Sequence, residues 1–208
     1  ASNPKISAVG GPCLANGLAN RIKSSVVIAN KNIEIVKEIG KIISTKYYST
    51  EFSKDIVGVE VCAAIKNIYS MLIGASVGLS SDNADDNIKS KYYLNTAASL
   101  VHKSMSEMRK IVKKLNGNEE TVFGLAGLGD LHVSAAGGRN SKMGSYLGKG
   151  MLFLDAKEEH MKEITIEGAE LALEIGPKIL REFDKNEFPL LFSMLDAICN
   201  NKKLIIYW

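Results

Sequence analysis

A lysine followed directly by an asparagine, Lys66-Asn67, lies in a stretch that is otherwise almost wholly apolar. The stretch extends from Ile56 to Leu79, long enough for about six turns of α-helix, and it predicts a central core helix. An ammonium group that is removed from water loses solvation, which lowers its pKa from about 10.4 toward neutrality. Lys66 is therefore a candidate general acid or base. The alternative is a lysine whose stem lies along the core while its ammonium group reaches water.

Glycines surround a second group of candidate residues. Gly124-Leu125-Ala126-Gly127-Leu128-Gly129 is followed directly by Asp130, whose carboxylate could bind a hydroxyl or an ammonium group. Further along, Gly137-Gly138-Arg139-Asn140 resembles an anion site. A guanidinium can bind a phosphate through two hydrogen bonds, and exposed amides at a turn can donate others. The alternative is a pair of ordinary glycine turns with a surface arginine.

The composition limits the class of protein. The chain has 208 residues, 46% of them hydrophobic, which is enough for one good core or two small ones. Its three cysteines, Cys13, Cys62 and Cys199, are odd in number and show no paired spacing. A disulfide framework and a zinc site are therefore not predicted, and we expect no metal.

The charge pattern limits the partners. The net charge of +3 is spread along the chain without a dense basic block, so nucleic acid is not predicted as a partner. Glu60 and Lys66 interrupt the longest apolar stretch, and the N-terminus lacks the pattern of a signal peptide. We therefore expect no membrane insertion and a cytoplasmic localisation.

The chain divides near Lys54 into two parts with different patterns. Before it, short β-rich runs at 5–9, 25–29 and 47–50 and a helical pattern over 32–43 predict an α/β fragment. We therefore expect a mainly α chain, with a C-terminal remnant of a Rossmann-type dinucleotide-binding domain over 1–54 and an all-helical substrate-binding domain over 55–208. The helices predicted in the second part cover 55–79, 88–115, 119–126, 141–150, 155–160, 167–183 and 188–199.

One motif is absent from the first part. No G-x-G-x-x-G follows the first predicted strand, so this sequence does not contain the phosphate-binding fingerprint of a dinucleotide domain. An α/β piece of about fifty residues is also too small to be a complete doubly wound domain. We therefore expect the chain to be a fragment, with the cofactor fingerprint upstream of it.

Taken in order, the motifs resemble those of the NAD(P)-dependent glycerol-3-phosphate dehydrogenase family, and the resemblance covers essentially all of the chain. It implies a helical substrate domain of the type found at the C-terminus of 6-phosphogluconate dehydrogenase. The matching segments are Gly11-Pro12-Cys13-Leu14-Ala15 for the G-P-[ST]-x-A turn, Ala64-Ile65-Lys66-Asn67 for the catalytic-lysine helix, Gly127-Leu128-Gly129-Asp130-Leu131 for G-L-G-D-L, Arg139-Asn140 for R-N, and Ile166-Glu167-Gly168 for V-E-G.

The resemblance implies an oxidoreductase that transfers hydride between NAD or NADP and sn-glycerol 3-phosphate, interconverting this substrate with dihydroxyacetone phosphate in glycerol and glycerophospholipid metabolism. Lys66 would act as the base, with Asn67 and Asp130 as the other catalytic residues. The residues implied to bind the small phosphorylated substrate are Gly11, Cys13, Lys66, Asp130, Ser134, Gly138, Arg139 and Asn140. Those implied to contact the cofactor are Ala15, Arg139, Ile166 and Glu167.

Two positions depart from the family pattern. Cys13 stands where the family usually has Ser or Thr, and a thiol is a weaker donor than a hydroxyl. Gly138 stands at a common Ser position, so a backbone amide would serve the phosphate there. Two other functions stay open: a non-catalytic phosphate-binding or assembly module, and a related hydroxy-acid or sugar-phosphate dehydrogenase. The apolar helical patterns over 167–199 leave a homodimer open as well.

Overall fold

The computed structural model describes residues 6–80 and 86–207, except for the side chains of 86–92. It divides into two compact units. The first contains the described residues up to Ala64 together with Met108–His132, and the second contains Ile65–Glu107 together with the described residues from Val133 onward. The predicted domain boundary between residues 54 and 55 follows the motifs rather than these units, and it stays a prediction.

The first unit contains a small mixed sheet. Strand β2 pairs in antiparallel fashion with β1 and in parallel fashion with β3, which gives the order β1-β2-β3. The parallel pair is joined by α2, as expected for a crossover connection, and Asn32 caps this helix by accepting the N–H of Glu34. The predicted α/β fragment is thus confirmed, with a last strand that extends beyond the expected residue 50. The elements are β1 (Ala8–Gly10), α1 (Ala15–Ala19), β2 (Ser24–Ala29), α2 (Ile33–Ile43) and β3 (Tyr48–Ser53).

The rest of the described chain is helical, so the prediction of a mainly α fold is confirmed. The α-helix predicted over 119–126 is wrong: a 3-10 turn, Glu119–Phe123, is followed by a π-helical turn, Leu125–Gly129. Gly124 separates the two turns in an extended conformation, which ends the first helical segment. The helices are α3 (Ile56–Leu79), α4 (Asp86–Lys114), α5 (Asp130–Ala135), α6 (Arg139–Gly148), α7 (Phe153–His160), α8 (Glu167–Glu182) and α9 (Pro189–Cys199).

Within the second unit, α3 and α6 pack through glycines on both helices. A Cβ atom added at Gly144 would collide with the carbonyl oxygen of Met71, and one added at Gly148 would collide with that of Ala75. Side chains normally hold helix axes 8–10 Å apart, and their absence lets these two backbones touch. We call Gly74 and Gly78 of α3, with Gly144 and Gly148 of α6, the glycine interface.

A buried carboxylate fixes the start of α9 in the same unit. Glu107, only 4% exposed, accepts hydrogen bonds from the backbone N–H groups of Leu190 (2.7 Å) and Leu191 (2.9 Å). The hydroxyl of Tyr69, on α3, donates to the same carboxylate at 2.9 Å. A buried charge is tolerated only with such partners, so Glu107 holds together helices α3, α4 and α9.

By length and composition alone, α3 could cross a membrane. The core helix of a soluble protein passes the same test, and 56% of the most apolar window of α3 is buried inside the protein. Its most buried residues, which include Ile68, Met71 and Leu72, pack within the protein interior. Burial of this kind is the behaviour predicted for a central core helix.

Gly144→Ala should destabilise the chain by about 2–3 kcal/mol, because the new methyl group overlaps a helix backbone that cannot move without repacking. Urea denaturation measures the change. Gly17→Ala is the matched control, because a Cβ there has nothing within 4 Å. It should be neutral or stabilising by up to about 1 kcal/mol, as usual for Gly→Ala in a helix. Equal stability of Gly144→Ala and the wild type would contradict the packing described here.

Burial, reinforced by the neighbouring Glu107 carboxylate, raises the pKa of Tyr69 well above its ordinary value of 10.0. A raised pKa stabilises the fold fully below pH 10.0, and this contribution is lost as the pH rises further. We expect phenolate absorbance to show that Tyr69 titrates only when the fold is lost. Tyr69→Phe should leave the number of phenols that titrate before unfolding unchanged. A variant with one fewer would show that Tyr69 ionises in the folded chain.

Candidate active site

The first unit brings two of the glycine-containing segments together. Gly11 has a φ of +138°, a conformation that favours glycine, and directs the chain from β1 into the turn that carries Cys13. The ring of Pro12 lies 3.3 Å from the position of a Cβ added at Gly129. At Gly10, an added Cβ would lie 2.9 Å from the Cβ of Ala126. The turn after β1 therefore contacts the segment that ends at Asp130.

The predicted site residues of this unit differ in exposure. Cys13 is half-buried, Ala15 is exposed at the start of α1, and Asp130 is buried at the start of α5. Burial raises the pKa of Tyr48, and its electrostatic interaction with Cys13 raises this pKa further. Sequence reasoning did not single out Tyr48, since only strand pairing brings it close to Cys13.

The second unit places Lys66 beside Ser134. The ammonium group of Lys66 donates a hydrogen bond to Ser134 Oγ at 3.1 Å. Lys66 is half-buried rather than enclosed, which is closer to the alternative in which its ammonium group reaches water than to a lysine removed from it. A half-buried amine next to a hydroxyl can exchange a proton with a small molecule that reaches it.

Asn140 connects three segments of the second unit. It is 6% exposed, and its Oδ1 accepts the backbone N–H of Gly168 at 2.9 Å. This bond orients the amide, so its Nδ2 donates to Asn67 Oδ1 at 3.2 Å and to Glu167 Oε2 at 3.4 Å. Since the oxygen of Asn67 is used in this way, its own NH₂ group is oriented as a donor. Within residues 6–80 and 86–207 this NH₂ group has no acceptor, so it is available to a ligand oxygen.

Gly168 is required for this arrangement. A Cβ at this position would lie 2.5 Å from the carbonyl oxygen of Asn67, so only glycine lets α8 approach α3 here. The sequence shows the Ile166-Glu167-Gly168 motif, but it does not show that the glycine is needed for the close approach of α8 to α3. Ile166 is 2% exposed directly before α8, and its side chain belongs to the core.

Arg139 and the start of α6 provide donors for an anion. The first N–H groups of α6, as in any α-helix, have no intrahelical acceptor, and the N-cap residue Gly138 has no side-chain oxygen to cap them. The guanidinium of Arg139 pairs with the carboxylate of Glu167, and both side chains are about half exposed. Its remaining N–H groups have no acceptor in the described part of the chain. A helix N-terminus with an adjacent guanidinium is suited to binding a phosphate.

The fold and these side chains together define a class. A strand-containing α/β segment is followed by a helical unit that displays a lysine, two amides and an arginine. This is the combination found in dehydrogenases that join a nucleotide-binding domain to a helical substrate domain.

Comparison with known proteins specifies the family. Residues 55–206 match the family model described as "NAD-dependent glycerol-3-phosphate dehydrogenase C-terminus". Because this match covers more than half of the sequence, the chain belongs to that family.

Individual relatives agree with this assignment. The chain is similar to an NADP(+)-dependent glycerol-3-phosphate dehydrogenase of Archaeoglobus fulgidus, at 34% identity over 73% of this chain and 44% of the relative. It is also similar to a glycerol-3-phosphate dehydrogenase [NAD(P)+] of Francisella philomiragia, at 28% identity over 96% of this chain and 56% of the relative. The crystal structure of glycerol-3-phosphate dehydrogenase from Coxiella burnetii superposes with a TM-score of 0.79 at 26% identity, covering 95% of this chain and 57% of that one. The chain thus spans about half the length of the proteins it matches.

Asn140→Asp tests the amide network. The new carboxylate cannot donate to Asn67 and faces Glu167, so we expect a loss of about 2–3 kcal/mol in urea denaturation. Adding Glu167→Gln restores a donor opposite the aspartate and should recover at least about 1 kcal/mol. Asn95→Asp, at an exposed position of α4, is the control and should change little. Strictly additive effects in the double variant would contradict the network.

Proposed function

We propose that this chain carries the substrate-binding and catalytic part of an NAD(P)-dependent glycerol-3-phosphate dehydrogenase. The observation that carries the proposal is the arrangement of Lys66 and Asn67 on α3, with the NH₂ group of Asn67 oriented by Asn140. The reaction would interconvert sn-glycerol 3-phosphate and dihydroxyacetone phosphate. Family membership favours this reaction over a non-catalytic binding or assembly module and over a related hydroxy-acid or sugar-phosphate dehydrogenase.

Lys66 is proposed to move the proton. Oxidation of the secondary alcohol removes a hydride from C2 and a proton from the hydroxyl oxygen. The neutral amine of Lys66 would accept that proton, and its ammonium form would return it to the ketone oxygen in the reverse direction. Ser134, 3.1 Å from the amine nitrogen, would orient the lysine, and the NH₂ group of Asn67 would donate to the reacting oxygen. Asp130 is retained as a catalytic residue on the family resemblance alone.

The phosphate is proposed to bind at the start of α6. Arg139 would supply charge and directed N–H donors, and the first-turn amides after Gly138 would supply further donors. Gly138 has no side chain, so the backbone serves where many family members have a serine hydroxyl. Asn140 and Ser134 of the second unit are also proposed to bind the substrate. Gly11 and Cys13, in the turn after β1, are proposed as substrate-binding residues as well.

The proposed cofactor is NAD or NADP, which would accept or donate the hydride. The carboxylate of Glu167 and the guanidinium of Arg139 lie together and are partly exposed, so they offer an acceptor and donors to a carboxamide such as that of nicotinamide. These residues are proposed to bind the reactive end of the cofactor together with the backbone of Ile166. Ala15 is retained as a cofactor contact on the family resemblance alone. A homodimer and a cytoplasmic localisation also stay proposals.

Lys66→Met removes the proposed base but keeps the length and apolar stem of the side chain. We expect turnover of dihydroxyacetone phosphate with NADH or NADPH to fall at least about 100-fold. The assay is made on the polypeptide as its source organism produces it, and circular dichroism confirms that the variant is folded. Lys37→Met, which removes only an exposed pair with Glu34, is the control and should keep full activity. An undiminished rate in Lys66→Met would refute the proposed mechanism.

A further inference from the structure

Lys157, near the end of α7, binds a cluster of backbone carbonyl oxygens. Its ammonium group donates to the carbonyls of Met161 (2.8 Å), Lys162 (3.0 Å) and Ile164 (2.7 Å). An ammonium group has three N–H donors, so these bonds can use all of them. Lys157 forms no ion pair with a carboxylate in the described part of the chain. Its charge is therefore directed at the backbone of one loop.

This loop, residues 161–166, leads directly into the candidate active site. Its side chains at Met161 and Ile166 are 1% and 2% exposed, and α8 begins immediately afterwards at Glu167. No side chain caps the start of α8, so side-chain capping does not fix the entry of the chain into this helix. The bonds to Lys157 satisfy carbonyls just past the end of α7, where a positive charge is also favoured by the helix dipole.

The short distance along the chain couples this loop to the site. Only Thr165 and Ile166 separate the last bound carbonyl, that of Ile164, from Glu167. From Ile164, Glu167 is three residue steps away and Gly168 is four, which span at most about 11 Å and 14 Å, so the position of the Ile164 carbonyl restricts where these two residues can lie. Glu167 pairs with Arg139, and the N–H of Gly168 orients Asn140.

We propose that Lys157 is a positioning residue that holds the 161–166 loop and thereby fixes Glu167 and Gly168 against Arg139 and Asn140. Lys157 is not among the residues proposed to contact the substrate or the cofactor. It sets the geometry of the residues that the proposed function assigns to the phosphate and the cofactor, and in that respect the inference rests on the proposed function. Whether Lys157 fixes the position of Gly168 can be tested without any ligand.

The test compares Lys157→Met with Lys162→Met in the polypeptide as its source organism produces it. Lys162 is the matched control, because its ammonium group pairs only with the exposed Glu158 among the described residues. The first readout is hydrogen exchange at the Gly168 amide, measured by NMR. We expect exchange about tenfold faster in Lys157→Met, because local opening sets protection, and unchanged exchange in Lys162→Met.

The second readout is the affinity for sn-glycerol 3-phosphate, measured by calorimetry. Displaced Glu167 and Arg139 should weaken binding about tenfold in Lys157→Met and leave Lys162→Met at the wild-type value. Lys157→Gln, which keeps two N–H donors, should change both readouts in the same direction but less. Wild-type protein that does not bind the ligand would count against the proposed function, and the exchange readout would still decide this inference.

The inference is overturned if either Lys157 variant folds with wild-type exchange at Gly168. It is also overturned if both variants fail to fold, because Lys157 would then support the whole unit rather than position one segment.

Discussion

The contact between α3 and α6 is the constraint on which the helical unit depends. Asn67 pairs with Asn140, Met71 meets Gly144, and Ala75 meets Gly148, with a constant separation of 73 residues. The two helices therefore run parallel, and each contributes residues four apart from one face. The amide pair is the first contact of this series. The packing that needs glycine at 144 and 148 thus also brings the start of α6 to the Lys66-Asn67 pair.

The amide network turns this packing into a chemically defined site. A backbone N–H can only donate, so the bond from Gly168 to Asn140 fixes which end of that amide is the acceptor. The orientation passes to Asn67 and leaves its NH₂ group pointing away from the network as a donor. Asn140 is buried, so reversing its amide would leave the Gly168 N–H without an acceptor, at a cost of about 1–3 kcal/mol. The site is therefore organised before any ligand binds.

Much of this architecture can be predicted from the sequence. Periodicity located the longer helices but missed α5, and strand composition located the small sheet, because both patterns reflect which face is buried. The Lys-Asn pair and the Arg-Asn pair were identified as candidate site residues, and the second unit joins them through the bond between Asn67 and Asn140. The four-residue spacing of Gly74 and Gly78, and of Gly144 and Gly148, is also visible in the sequence and could have indicated their close packing.

Other features could not be predicted, for identifiable reasons. Within the π-helical turn over Leu125–Gly129, a Cβ at Gly127 would lie 2.0 Å from the carbonyl oxygen of Val122, and local propensity does not specify this close approach. Lys157 binds backbone carbonyls, and these are present at every residue and leave no signal in the side-chain pattern. Tyr48 comes close to Cys13 only through the pairing of strands.

The most direct test of the proposed function, the recognition and reduction of a phosphorylated ketone, is phosphorus NMR of the natural polypeptide mixed with dihydroxyacetone phosphate and either NADH or NADPH. The account predicts that the signal of dihydroxyacetone phosphate is replaced by that of sn-glycerol 3-phosphate as the reduced nucleotide is consumed. A dihydroxyacetone phosphate signal that is neither converted nor broadened with either nucleotide would contradict it.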